Sequence, residues 1–302
     1  MLPLSRYFNK PKVLFISLLQ HYGGWVPDKI YIKWLYRLKM GKKLDLKNPK
    51  TFSEKLQWLK LYNRQPEYTM MVDKSTVKDY VAGIIGEKYI IPTIGVWDKP
   101  EDIEWDRLPN QFVLKTTHGG GSSGVVICKD KDTFDRQQAI IKLKKSFKQD
   151  IYRSLREWPY KNVPRRILAE QYIEPDSVTN DLPDYKFFCF NGQPQYCQVI
   201  SGRNDKECVD FFDINWVHQP FHEPRYLPFA DGCLKKPNQY EKMWKLAESL
   251  AEGKPFSRID FFNVRDVVYF GEITFFPTSG FGGFDPQSYD ELFGGMISHN
   301  SN

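Results

Sequence analysis

Two short polar motifs near the end of the sequence, Arg258-Ile-Asp260 and Glu272-Ile-Thr274, carry residue types that can handle a metal ion and phosphate. The residues between them read as two strands, Ile259 to Val264 and Val267 to Phe275, joined by a tight turn around Arg265-Asp266. Side chains alternate along a strand, so Arg258 and Asp260 share a face, as do Glu272 and Thr274. With residues 265 to 267 left unpaired in the turn, 260 lies opposite 272 and 258 opposite 274. The four polar groups then converge, and Ile259, Phe261, Ile273 and Phe275 form a core stripe on the other face. Two opposed carboxylates repel unless a cation sits between them, and hard oxygen donors select Mg²⁺ or Mn²⁺ over zinc. An arginine beside them can stabilise charge on a transferring phosphoryl group. For the hairpin alone, the competing reading is a cross-strand Arg–Asp or Arg–Glu salt bridge on a solvated face.

A second candidate lies earlier. In Phe112-Val-Leu-Lys115-Thr-Thr-His-Gly-Gly-Gly-Ser-Ser-Gly124-Val-Val-Ile127 a lysine ends a strand and a glycine-serine turn follows. Small residues let successive backbone N–H groups form an anion nest, and Lys115 adds a point charge. No Lys-Ser/Thr pair follows the glycines and no long helix begins there, so this is not a Walker loop. A mobile hairpin turn is the bland alternative, and His118 reads as a loop residue without a catalytic part.

These groups need elements to hold them. Residues 1–65 read as basic, aromatic-rich helices, with Thr51 or Ser53 placed to cap one that runs through Leu56, Leu59 and Leu61. Asp73 to Ile85 reads as helical and Tyr89 to Pro92 as a short strand. Strands at 111–114 and 125–128 flank the glycine-serine loop, and the charged stretch 129–156 is expected to be helical. Ile167 to Ile173 and Tyr185 to Phe190 read as strands, and Tyr240 to Ala251 has apolar residues at helical spacing. Helices mixed with hairpins imply an α+β fold rather than a regular parallel sheet.

Composition narrows the class. A chain of 302 residues with 26% charged residues can bury a globular core, and its 16% aromatic content suits that core better than a carbohydrate-facing surface. The longest early apolar run, Val13 to Leu19, is too short to span a bilayer, and no cleavage pattern follows it; a cytoplasmic location is expected. The five cysteines show no CxxC spacing, against a disulfide framework or a zinc site. The net charge of +6 is concentrated early, because residues 1–60 hold thirteen Lys/Arg against three Asp/Glu. Lys29, Lys33 and Arg37 recur every four residues and line one helix face. That face is either simply solvated or meets an anionic membrane surface or an acidic glycan, the former favoured; nucleic acid is not expected, since its binding signatures are absent.

Read together, Asn48-Pro-Lys-Thr-Phe-Ser-Glu-Lys55, Val72-Asp-Lys74, Val113 to Gly121, Asp184-Tyr-Lys-Phe-Phe-Cys-Phe-Asn-Gly192, Arg258-Ile-Asp260 and Glu272-Ile-Thr-Phe-Phe-Pro277 resemble the ATP-grasp superfamily. They are most similar to its TupA-like branch, associated with bacterial surface polysaccharide (teichuronopeptide, capsule) biosynthesis. The resemblance runs from about Asn48 to Gly283. It implies an ATP-grasp fold, two α+β subdomains clasping ATP, preceded by the basic helical N-terminal region. The corresponding division is 1–65, a connecting pre-grasp segment 66–110, a first subdomain 111–174 and a second 175–302. It further implies that Lys74 and Lys115 contact the phosphates and that the loop through Gly119, Gly120, Gly121, Ser122 and Ser123 closes over them. Glu170, Gln171, Tyr172 and Ile173 would line the adenine, with Glu174 or Asp184 on the ribose and Lys186 close by. Asp260, Glu272 and Thr274 would hold Mg²⁺ (or Mn²⁺), Arg258 would meet the γ-phosphate, and the backbone at Thr278-Ser-Gly280 would steady an oxyanion. Thr274 departs from the asparagine common at that position, and a hydroxyl is a poorer metal ligand than an amide oxygen.

The implied reaction is a carboxylate–amine ligation through an acylphosphate, joining an amino acid to a uronic-acid sugar or glycan. Phosphotransfer to a sugar hydroxyl keeps the same fold. A glycosyltransferase would need an acidic pair for a sugar nucleotide, and the only Asp-x-Asp is Asp130-Lys-Asp132, in a charged stretch. For an acceptor pocket, the sequence offers Arg203 and the aromatic-basic segment Trp216 to Tyr226.

Overall fold

A computed structural model of the chain describes residues 11–176, 181–202, 207–224, 226 and 234–298. Five helices come first: α1 (Pro11–Tyr22), α2 (Asp28–Met40), α3 (Phe52–Tyr62), α4 (Glu67–Val72) and α5 (Val77–Ile85). Thr51 caps α3 as expected: its hydroxyl accepts from the Glu54 N–H while Glu54 reaches back to the Thr51 N–H. The inner face of α3 buries Phe52, Leu56 and Leu59. Phe52 enters an aromatic cluster with Phe188, Phe190, Phe256, Phe284 and Phe293, which is where much of the aromatic content resides.

The strands are β1 (Thr93–Trp97), β2 (Phe112–Thr116), β3 (Val125–Cys128), β4 (Ile167–Gln171), β5 (Asp184–Phe190), β6 (Gln193–Ser201), β7 (Cys208–Phe212), β8 (Phe256–Val264) and β9 (Val267–Thr274). They form two antiparallel sheets, one ordered β1-β4-β2-β3 and the other β7-β6-β5-β8-β9. The remaining helices are α6 (Arg136–Phe147), α7 (Ile151–Leu155), α8 (Tyr240–Ala251) and α9 (Ser288–Met296). Helix α8 buries Tyr240, Met243, Ala247, Leu250 and Ala251, the stripe its sequence spacing marks. The fold is α+β.

Four local expectations are corrected. Tyr89 ends a single 3₁₀ turn (Glu87–Tyr89), and the strand lies beyond Pro92, which has no N–H to give a ladder. That strand, β1, joins the sheet of β2 and β4. The stretch 129–156 holds two helices rather than one, because Asp135 and Asp150 each cap a fresh start by accepting from the N–H three residues on. Strands β6 and β7 were not anticipated, although Asn191 and Gly192, both at positive φ, make the two-residue turn that joins β5 to β6.

The fourth concerns the β8–β9 hairpin. Its turn has two central residues, Arg265 (φ 49°) and Asp266 (φ 63°), not three unpaired ones. The extra residue is Gly271, bulged between the pairs Phe261–Phe270 and Asp260–Glu272. Asp260 still faces Glu272 and Arg258 still faces Thr274, while Phe270 joins the core. Ile259, Phe261, Ile273 and Phe275 are all buried, as the alternation predicts.

Candidate active site

The second sheet supplies the centre of the site. Arg258 grips Asp260 through Nε and Nη2 at 2.7 Å each, and its Nη2 also donates to Glu272 Oε1 at 3.0 Å and Thr274 Oγ1 at 3.2 Å. The Thr274 hydroxyl donates to Glu272 Oε1 at 3.1 Å. From β5, opposite Asp260 in the ladder, Lys186 contacts Asp260 and pairs with Asp184 at 2.6 Å. Lys74 reaches across to bring Nζ within 3.7 Å of Glu272 Oε2. Three cations thus meet three carboxylates on one face. Burial alone would raise the Glu272 carboxyl, yet Lys74, Arg258 and Lys186 hold it down to about 2.

Lys74 also ties the hairpin to the glycine-serine loop. Its backbone N–H donates to Thr117 O at 3.1 Å and its Nζ to Gly119 O at 2.6 Å. Two of its glycines are crowded by neighbours: a Cβ on Gly119 would lie 2.4 Å from Thr116 Oγ1, and one on Gly124 would lie 2.3 Å from it. Ser123 donates to Gln149, and Gly121 to Gly124 form a 3₁₀ turn. His118 is buried, hydrogen-bonded through Nε2 to Phe147 O and edge-on to the Phe147 ring, which gives it a packing role.

On the first sheet Lys115 contacts Glu170, which Lys78 also holds, at 2.7 Å. Glu170 is buried between the two lysines, while Gln171 is exposed with its backbone N–H bonded to Pro92 O. Tyr172 and Ile173 lie at the end of that strand. Of the two acids considered for the ribose, Asp184 is buried beside Lys186 and Glu174 is exposed near Arg265.

A cavity of about 970 Å³ lies against the cluster, with Arg258, Glu272, Thr274 and Lys186 in its wall and Gly120 and Gly121 at another side. Between Lys74, Lys78, Lys115, Glu170 and Gly271 the space is only about 10 Å³. Thr278 and Ser279 border the large cavity, but Gly280 faces α3, where Gln57 Nε2 donates to its carbonyl at 2.7 Å. Glu223 and Tyr226 also border it, whereas Trp216 stacks on Phe212 at 4.1 Å, and Arg203 lies outside the described residues. Asp130-Lys-Asp132 forms a local turn, Asp132 N–H to Asp130 Oδ1, away from the cavity.

Sequence reasoning missed Lys78, Glu157 and Lys60. Glu157 is buried at the cavity wall and accepts from Ser279 Oγ at 2.5 Å. Lys60, without exposure, donates to Ser279 O at 2.7 Å and Leu155 O at 3.0 Å. Burial drives the Lys60 ammonium down to about 7, against the opposing pull of Glu157. Between there and the ordinary lysine value of about 10.4, the unfolded chain holds a proton that the folded chain has released, so Lys60 adds stability as pH rises. Lys60→Met removes that rise. Thermal melts from about pH 7 to about pH 9 should show the wild type gaining on the variant, and a wild type that holds level with it or loses ground would contradict the assignment.

Arranged as two antiparallel sheets with helices, a Lys-bearing loop and a polar hairpin, the chain has the ATP-grasp fold. Residues 54–298 match the family described as TupA-like ATPgrasp, and the chain belongs to that family. Comparison with curated proteins gives no match. Among solved structures, it is similar to D-alanine–D-alanine ligase from Bacillus anthracis complexed with ATP, at 18% identity over 76% of this chain and 63% of that one, TM-score 0.41. The Helicobacter pylori D-alanine–D-alanine ligase matches at 16% identity, 83% and 70% coverage, TM-score 0.44. A RimK domain ATP-grasp protein from Sphaerobacter thermophilus matches at 12%, 78% and 70%, TM-score 0.42. The chain thus spans less than two thirds of the Bacillus anthracis ligase.

Proposed function

We propose that this protein uses ATP and Mg²⁺ to activate a carboxylate as an acylphosphate and joins it to an amine. The observation that carries this reading is the convergence of Arg258, Asp260, Glu272 and Thr274 on one face, bridged by Lys74 to the glycine-serine loop and bordered by the large cavity. In this reading Lys74 and Lys115 bind the phosphates, and the backbone from Gly119 through Ser122 to Ser123 covers them. The strand end from Glu170 to Ile173 lies along the adenine, with Asp184 and Lys186 at the ribose and phosphate side. Glu170 has a second part, since its contact fixes the Lys115 ammonium.

The donor set suits magnesium. Among the described residues no group of three or more His, Cys, Asp or Glu could hold a metal. Asp260 and Glu272, with the Thr274 hydroxyl, offer the two-carboxylate arrangement that Mg²⁺ completes with nucleotide phosphates and water. Bound there, the ion would neutralise charge on the phosphates and orient them. Arg258 is placed to meet the transferring phosphoryl group once phosphate oxygens compete with Asp260 and Glu272 for its guanidinium. The carboxylate attacks the γ-phosphorus of ATP and ADP leaves. The amine then adds to the acylphosphate carbonyl, and phosphate departs as the amine gives up its proton. Thr278 and Ser279 border the space where the tetrahedral oxygen would form, and the Gly280 backbone completes that loop. The protein's share is positioning and charge stabilisation.

Family membership and the polar cavity support a uronic-acid sugar or glycan as the carboxylate and an amino acid as the amine, within bacterial surface polysaccharide biosynthesis. ATP as co-substrate implies a cytoplasmic location. Incubation with ATP, Mg²⁺, uronates and amino acids, read by mass spectrometry, should give ADP, phosphate and a product lighter than its parts by one water. A phosphorylated sugar without an amide would make the protein a phosphotransferase, consumption of a UDP-sugar would make it a glycosyltransferase, and no turnover with any carboxylate–amine pair would sink the ligase reading.

A further inference from the structure

The first two helices carry a surface that the chemistry above does not use. Among the described residues the exposed Phe and Trp side chains are Phe15 (61%), Trp25 (83%) and Trp34 (52%), all within α1, α2 and the turn between them. Tyr22 and Ile30 are exposed beside them. Helix α1 buries none of its residues, and α2 turns Tyr31, Ile32, Leu35 and Tyr36 inward. Lys29, Ile30, Lys33, Trp34 and Arg37 are left outward along one stripe. Between the helices runs an apolar groove of about 740 Å³, walled by Phe15 and Leu19 on one side and Trp34 and Leu38 on the other, with Lys12 and Arg37 in its lining.

The charge on this surface is one-sided for a structural reason. All three acids of residues 1–60 are engaged elsewhere. Asp28 faces Arg64 and Arg156, Asp45 accepts the backbone N–H groups of Lys47 and Asn48, and Glu54 serves the α3 cap. Exposed indole and phenyl rings among outward lysines match the interfacial zone of a bilayer, where rings enter the headgroup boundary and cations meet anionic lipid.

We propose that α1 and α2 dock this protein peripherally on a membrane surface rich in anionic phospholipid. The rings of Phe15, Trp25 and Trp34 enter the headgroup layer, and Lys29, Lys33 and Arg37 meet its negative charge. No helix among the described residues is long and apolar enough to cross a membrane. The opposite side of α1 contributes Ser17, Gln20 and His21 to the large cavity.

The test is co-sedimentation of the full chain with vesicles of phosphatidylglycerol and phosphatidylcholine in equal parts, against phosphatidylcholine alone. Binding is expected to the anionic vesicles and not the neutral ones, with a blue shift of tryptophan fluorescence. Lys29→Glu with Lys33→Glu should weaken it about tenfold or more, and Trp25→Ser with Trp34→Ser should abolish the blue shift, both at unchanged melting temperature. No co-sedimentation with anionic vesicles, or equal binding by the variants, would overturn the proposal. So would a concentration-dependent dimer in sedimentation velocity that the tryptophan variant dissolves, since the groove would then seat a second copy. None of these readouts depends on the ligase reading.

Discussion

Glu272→Gln should lower ATP-driven turnover by about 10²–10³-fold while leaving the fold in place. Glu272 sits where three cations converge: Arg258 at 3.0 Å, Lys74 at 3.7 Å, and Lys186 through its contact with Asp260. In the proposed reading, losing its charge would withdraw one of the two carboxylates offered to Mg²⁺ and would let Arg258 stay clamped on Asp260 instead of turning to phosphate. Its side chain is one-third exposed, so water can partly replace what the folded chain loses. Asp260 differs, being buried against both Arg258 and Lys186, and its neutralisation would leave Arg258 to Glu272 and Lys186 to Asp184, a change that disturbs the fold as well as the chemistry. Glu272 is therefore the cleaner probe. The measurement pairs ADP release over a Mg²⁺ titration with a thermal melt. Turnover within about threefold of wild type would remove Glu272 from the proposed chemistry.

The largest expected effect on stability is at a glycine far from the cluster. Gly294 in α9 lies against the start of α3 so closely that a Cβ there would be 1.9 Å from Lys50 O and 2.6 Å from Thr51 C. Both neighbours are backbone and cannot swing aside. The contact is fixed further by Asp290, which accepts from Ser53 Oγ at 3.2 Å and from the Ser53 N–H at 3.3 Å. Gly294→Ala must pry α9 off α3, and we expect a loss of about 3 kcal/mol or more. For a chain of 302 residues that lowers Tm by about 5 °C or more. Gly295→Ala is the control, since open space surrounds its Cβ position and alanine favours a helix. A Gly294→Ala variant melting within about 2 °C of wild type would refute the close packing.

Parity made the hairpin legible. Alternation along β8 and β9 assigned Arg258, Asp260, Glu272 and Thr274 to one face without any knowledge of the rest. It could not distinguish a three-residue turn from a two-residue turn followed by a bulge, because both give the same pairing at the motif. Strand β6 escaped because Pro194 and three glutamines dilute its pattern, although Asn191-Gly192 announces the turn before it. Lys78, Lys60 and Glu157 were unreadable for another reason. Each is a charged residue on or beside a helix, and only the tertiary fold reveals that its partners are Glu170 and the Ser279 loop. The same holds for Gly280, whose carbonyl accepts from Gln57 of α3, a contact its sequence does not announce.

Arg156 reaches further than its own neighbourhood. Almost wholly buried, it donates to Gly23 O at 2.9 Å and Val26 O at 3.2 Å, pairs with Asp28 at 2.9 Å and lies 3.8 Å from the centre of the Tyr31 ring. All of those partners precede residue 54, where the family match begins. The guanidinium is thus held from two sides, by the carbonyls of Tyr152 and Arg153 within the matched span and by residues that precede it. Cutting the chain back to the matched span would leave this buried cation without Gly23, Val26, Asp28 and Tyr31, so the N-terminal helices are expected to contribute to the stability of the part they precede.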